Sequence, residues 1–100
     1  MTMVSDGNYL RVGELAELNA QNCALLKEQV RATLRAEHRE VVVDLEGLGL
    51  IDSCVLGALV AVHKLMAGRA GSLRIVNSSP SVLQIIELTR MHRVLQCTPA

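Results

Sequence analysis

Apolar positions recur along the chain with two alternating periods. The stretch YLRV, residues 9–12, reads as a short strand ended by Gly13. From 19 to 38 the period changes to that of a helix. Cys23, Leu26, Val30 and Leu34 fall at spacings of three and four and give one apolar face, while Lys27, Glu28, Arg31 and Arg35 lie off it in water. Asn19 is the N-cap this pattern suggests. VVVDL, residues 41–45, opens on a continuous β-branched run suited to a central strand buried on both faces. A turn, EGLG, follows. From Ser53 to Gly68 the helical period returns, with Val55, Leu59, Val62 and Met66 in one row and Leu56, Val60 and Ala67 beside it. Gly68 and Gly71 bracket its end. LRIV, residues 73–76, reads as a strand. Ser79 then caps a third helix that has Pro80 at its first position, where the missing N–H costs nothing, and Val82, Ile85, Ile86 and Thr89 on its inner face. RVLQC, residues 93–97, reads as a last short strand.

The order β-α-β-α-β-α-β predicts an α/β layer fold, a small mostly parallel sheet with right-handed crossovers. In such folds function gathers where strands end and helices begin. Two junctions fit: LIDSC after the second strand and NSSP after the third. If those strands are neighbours, both junctions open on one edge of the sheet.

Composition narrows the function classes. One hundred residues allow one domain with one modest core. Half of the residues are hydrophobic, yet Tyr9 is the only aromatic, so base-stacking platforms are missing. Lys plus Arg equals Asp plus Glu at 10 each, which leaves no basic field for a phosphate backbone. No nucleic-acid partner is expected. The N-terminus lacks the basic start and apolar core of a signal peptide. The longest apolar run, CVLGALVAV, is about half of what spans a bilayer. A cytoplasmic chain without membrane insertion is the expectation. Cys23, Cys54 and Cys97 are odd in number and form no CxxC; with His38, His63 and His92 they make no ligand spacing, so no metal, cofactor or disulfide framework is expected.

The chemistry concentrates at Asp52, Ser53 and Cys54. An Asp at a helix start accepts a free backbone N–H and complements the dipole. A phosphate on an adjacent hydroxyl meets the same N–H groups and adds about two negative charges. A thiol at a helix start is either activated or simply packed, and Asp52 opposes its thiolate. No Ser/His/Asp or Cys/His set assembles, and EGLGLIDS lacks the spacing and Lys of a phosphate loop. An enzyme is not expected.

VVVDLEGLGLIDSCVLGAL followed by GSLRIVNSSPSVLQIIELTRMHRVL resembles a STAS domain of the anti-sigma factor antagonist type. The upstream VGELAELNAQNCALLKEQV resembles that family's first strand and helix, with Gly13, Glu14 and Leu15 at its Gly-x-Leu turn. The resemblance covers nearly the whole of 1–100 and implies helices packed largely on one side of the sheet. It implies partner switching: the unphosphorylated antagonist binds an anti-sigma factor that is also a serine kinase, phosphorylation ends the binding, and a phosphatase restores it. The family motif is Asp-Ser-Ser or Asp-Ser-Thr followed by Gly-Leu-Gly, with the second hydroxyl phosphorylated. Asp52, Ser53, Leu56 and Gly57 match. Cys54 stands at the phosphorylated position and cannot take the phosphate as a serine does, which leaves Ser53 as the candidate substitute. Val55 stands where the first Gly would, placing a branched side chain at an expected point of partner approach. Ala16 replaces the family's Asp after the first strand, and the family's final helix is expected to be short or absent.

The expected partner surface is therefore Asp52, Ser53, Cys54, Val55, Leu56 and Gly57 with Asn77, Ser78, Ser79 and Pro80. Two other readings stand beside the partner-switching one: an accessory subunit docked on a lipid-transport ATPase, and a thiol sensor using Cys54. An exposed edge or an apolar C-terminal face leaves room for a homodimer.

Overall fold

The computed structural model describes residues 1–91 and 95–99. Its elements are β1 (Thr2–Asp6), β2 (Tyr9–Gly13), α1 (Cys23–Thr33), β3 (Glu40–Asp44), α2 (Ser53–Ala67), β4 (Ser72–Ser78), α3 (Pro80–Leu88) and β5 (Gln96–Pro99). The strands form one sheet in the order β1-β2-β3-β4-β5, with β1 antiparallel to β2 and every other pair parallel.

This order explains where the helices go. From β2 to β5 each crossover moves one strand in the same direction. Right-handed crossovers repeated in one direction place every helix on the same face. Leu10, Val12, Val41, Val43, Leu73 and Ile75 point to that face and are buried against Leu26 and Val30 of α1, Val55, Leu59, Val62 and Met66 of α2, and Val82 and Ile86 of α3. The opposite face is polar. Arg11 and Arg74 flank Val42 in register and leave it only 6% exposed, so their aliphatic stems cover it while their charges reach water. Arg11 pairs with Asp44 at 2.8 Å and Arg74 with Glu40 at 3.5 Å. The expectation that the β3 run is buried on both faces thus holds, by a different cover on each side.

Several boundaries differ from the sequence reading. β1 is an added strand, joined to β2 by the two-residue turn Gly7-Asn8, where Gly7 takes φ +58°. α1 starts at Cys23 and stops at Thr33, well inside 19–38. Asn19 is not its cap: Asn22 precedes the helix without a side-chain cap bond, and its Oδ1 accepts instead from the Asn19 N–H at 2.7 Å. Leu34 leaves the helix in an extended conformation, and Arg35 donates its N–H to the buried His38 Nδ1 at 3.0 Å. That bond makes Nδ1 an acceptor, so Nε2 carries the proton and donates to Ser5 Oγ at 2.7 Å. Thr89 is exposed rather than on the inner face of α3, and its hydroxyl bonds back to the Ile85 and Ile86 carbonyls. β4 extends to Ser78, so Asn77 and Ser78 end a strand rather than form a loop. Of the last strand reading, Arg93 and Val94 lie outside the described residues, as does His92, and β5 begins at Gln96.

Because β2, β3 and β4 are parallel, the segments that follow them leave from one edge of the sheet. The starts of α1, α2 and α3 are gathered there.

Candidate functional site

At that edge the chain leaves β3 through Leu45 to Ile51 and enters α2. Asp52 is extended, with φ −99° and ψ 179°, and its Oδ1 accepts the Val55 N–H at 2.8 Å. It is the N-cap, as its sequence position predicts. Ser53 and Cys54 form the first turn and are exposed. Since Asp52 already holds the Val55 amide, the Ser53 hydroxyl stands free of intramolecular hydrogen bonds among the described residues.

Helical geometry then sorts the next residues. Val55 begins the buried row Val55, Leu59, Val62 and Met66, each 0% exposed. Its branched side chain points into the core, whereas its replacing a glycine had suggested a side chain at the surface. Leu56 is half-buried and packs on the edge of the core. Gly57 faces solvent, and a Cβ built there meets nothing within 4 Å.

The second junction lies beside the first. Ser79 is the N-cap of α3, accepting from the Val82 N–H at 3.2 Å, and its hydroxyl also donates to the Gly49 carbonyl at 3.2 Å. One side chain therefore ends one loop and fastens the other. Pro80 is exposed in the first turn. Asn77 is half-buried at φ +56°, with its Nδ2 donating to Asp44 Oδ1 at 3.0 Å, so it positions the strand end. Ser78 is fully buried and its hydroxyl has no hydrogen-bond partner among the described residues; its side chain is not part of the surface. A hollow of about 540 Å³ lies between Leu45–Gly49 on one side and Asn77 and Ser79 on the other.

Asp44 is the anchor beneath this edge. Burial opposes its charge, but donors outweigh burial: the Glu46 N–H at 2.9 Å, Asn77 at 3.0 Å and Arg11 at 2.8 Å. The net result holds its carboxyl below the usual range. Asp44 thus joins β2, β3 and β4 and fixes where the two junctions emerge.

Of the ten residues expected at the surface, Asp52, Ser53, Cys54, Gly57 and Pro80 are exposed, Leu56, Asn77 and Ser79 half-buried, and Val55 and Ser78 buried. Two residues were missed. Leu50 is 68% exposed two positions before Asp52. An apolar side chain in a run of alternating glycines and leucines carries no sequence mark of exposure. Cys23, read only as a core position of α1, lines with Cys54 a groove of about 310 Å³ between the two helices. Its thiol is pushed up by burial first, then by the neighbouring Cys54 thiol and by the Asp52 carboxylate. Among the described residues no group of three or more His, Cys, Asp or Glu is placed to hold a metal, and no helix is long and apolar enough to cross a membrane.

No curated protein is a significant match to the chain. Solved structures with the same fold are known. TM1081 of Thermotoga maritima, assigned as an anti-sigma factor antagonist, superposes with a TM-score of 0.88 at 21% identity, over 99% of this chain and 86% of its own. The anti-sigma factor antagonist SpoIIAA in its unphosphorylated form gives 0.66 at 17% identity, over 97% of this chain and 86% of its own. The murine anion transporter Solute Carrier 26 family member A9 gives 0.79 at 15% identity, over 97% of this chain but 17% of its own. The STAS domain family model matches residues 11–100. The sheet order, the one-sided helices and the capped start of α2 agree with that match, and the chain belongs to the STAS domain family.

Proposed function

We propose that this STAS domain is a non-enzymatic partner-switching regulator of the anti-sigma factor antagonist type. It docks on a cytoplasmic anti-sigma factor with serine-kinase character through Leu50, Asp52, Ser53, Cys54 and Gly57, with Ser79 and Pro80 at the margin. The observation that carries this reading is Gly57. A glycine inside an exposed helix costs roughly 0.5–1 kcal/mol relative to alanine. Here the fold does not require it, because a Cβ would meet nothing. A partner backbone that approaches α2 closely is the physical reason to keep it. Leu50, apolar and 68% exposed beside a polar helix start, gives that partner an anchor.

Cys54 occupies the position at which the family's hydroxyl is phosphorylated. On this reading the phosphate, if a kinase adds one, goes to Ser53, whose hydroxyl is exposed and, among the described residues, unbonded. It would stand beside Asp52 and add about two negative charges to the docking surface. The test is intact-mass measurement after incubation with ATP and the serine kinases encoded in the same genome, together with co-elution. One added phosphate that disappears in Ser53→Ala supports a surviving switch. A stable complex without phosphate supports a constitutive antagonist. No phosphate and no complex with any kinase rejects the reading.

A second reading is an accessory subunit of a lipid-transport ATPase. It is favoured by the lack of a hydroxyl at position 54. Transporter genes beside this one support it, and sigma-regulator genes count against it.

A further inference from the structure

The two thiols of the α1–α2 groove were unrelated in sequence and are neighbours in space. Cys23 is the first residue of α1 and Cys54 the second of α2. Both helices start at the same sheet edge, and both cysteines line one cavity, with Lys27, Glu28 and Arg31 of α1 and Ala58 of α2. Their exposures differ: Cys54 is open to solvent, and Cys23 is 8% exposed with its thiol directed at the Ala20 carbonyl at 3.7 Å.

We propose that Cys23 and Cys54 are a reversible redox pair, whose disulfide ties the first turn of α1 to the start of α2. The exposure difference sets the order of events. Cys54 is the thiol that a peroxide reaches. Its sulfur attacks one peroxide oxygen, the O–O bond breaks, and a sulfenic acid forms with release of water. The Cys23 sulfur then displaces the sulfenic oxygen, and the thiol proton leaves with it as a second water. In sum, two thiols and one hydrogen peroxide give one disulfide and two waters. Burial and the adjacent Asp52 carboxylate hold Cys23 in its protonated form, which suits a resolving thiol rather than the first target.

The pair are free thiols here, so closure needs a local shift. The protein has room for it. α1 begins without a side-chain cap, after a run of turns, so its first turn is the less firmly held of the two. Asp52 caps α2 at 2.8 Å, which makes α2 the fixed partner. The bond would draw the Cys54 side chain off the surface toward α1, next to Ser53. The pairing stands without any docking partner; only its consequence for docking rests on the proposed function.

The test uses the full chain carrying Cys97→Ser, treated with hydrogen peroxide and mapped by peptide mass. The expected product has lost two hydrogens, links the Cys23 and Cys54 peptides, and returns to free thiols with dithiothreitol. Cys54→Ser, an exposed and mild change, abolishes it, as does Cys23→Ser. Accumulation of sulfinic or sulfonic acid on Cys54 with Cys23 still free overturns the proposal, because it shows that the second thiol does not reach the first. No kinase is present in this experiment, so its failure leaves the partner-binding reading untouched, and failure of that reading leaves this result standing.

Discussion

The Ser79 hydroxyl donates to the Gly49 carbonyl at 3.2 Å across thirty residues of sequence. The same oxygen accepts the Val82 N–H at the start of α3. A helix cap and a tie between two loops are therefore one side chain. Ser79→Ala removes both bonds. Loss of the cap alone costs about 1 kcal/mol, and the freed Gly49 carbonyl lets the Leu48–Ile51 segment move. Urea unfolding of Ser79→Ala against Ser81→Ala, an exposed control in the same helix, measures the first effect. An equal midpoint for the two variants would show that neither the cap nor the tie contributes to stability. Partner affinity should fall more in Ser79→Ala than its stability loss accounts for, since Leu50 lies on the loosened segment.

Gly71 answers a different need. A Cβ at this position would lie 2.7 Å from the Arg39 carbonyl oxygen and 2.7 Å from Met66 Cε. The methionine can yield, but the Arg39 carbonyl already accepts the Ser72 N–H at 3.0 Å and cannot retreat without loosening β3 from β4. Gly71→Ala should destabilise by about 1–3 kcal/mol, the usual range for overpacking. Thermal unfolding checks it. Gly68→Ala is the contrast: it takes φ −66° with ordinary contacts and should be nearly neutral.

Those two glycines show what the sequence could and could not disclose. Both were visible as the end of α2, but only the structure separates the one that the packing needs. The core was legible because periodicity reports burial directly: the row Val55, Leu59, Val62 and Met66 is 0% exposed throughout. The hairpin partner β1 was missed because TMVSD has only Met3 even half-buried, so burial left no alternation to read. The turn Gly7-Asn8 was the available signal. At the site, caps were legible where a side chain meets its own helix, as at Asp52 and Ser79. Asn19 misled because its Oδ1 does accept a nearby N–H, that of Gln21 at 2.8 Å, but in a turn ahead of the helix, which begins only at Cys23. Relations across the fold, such as Cys23 with Cys54, have no local signature at all.

Asp44 predicts a pH dependence with a definite sign. Its carboxyl is held below the ordinary value of 3.8, with burial overcome by the Glu46 amide, Asn77 and Arg11. A carboxylate with a lowered folded-state pKa stabilises the fold above its unfolded value, and the contribution is lost as pH falls through the folded one. Wild type should therefore lose stability between about pH 5 and pH 2 more steeply than Asp44→Asn, which has no charge to lose there. At neutral pH Asp44→Ala should cost about 1–3 kcal/mol, because it leaves Asn77 and Arg11 without their acceptor. Parallel stability curves for wild type and Asp44→Asn across that window would remove Asp44 as the anchor of the edge.

Gly57 separates stability from function most cleanly. It lies inside α2 on the exposed side, four residues after Ser53, and no atom outside its own helix lies near the missing Cβ. Helix propensity then acts alone, and Gly57→Ala should raise stability by about 0.5–1 kcal/mol. If a partner packs against the bare backbone, the added methyl group occupies that contact, and affinity falls although the fold is stronger. Gly57→Leu should weaken the complex further with little change in stability. The paired measurements are a denaturation midpoint and a binding titration for each variant. A stabilised Gly57→Ala that binds as tightly as wild type would show that no partner approaches α2 here and would move the docking surface away from the start of the helix.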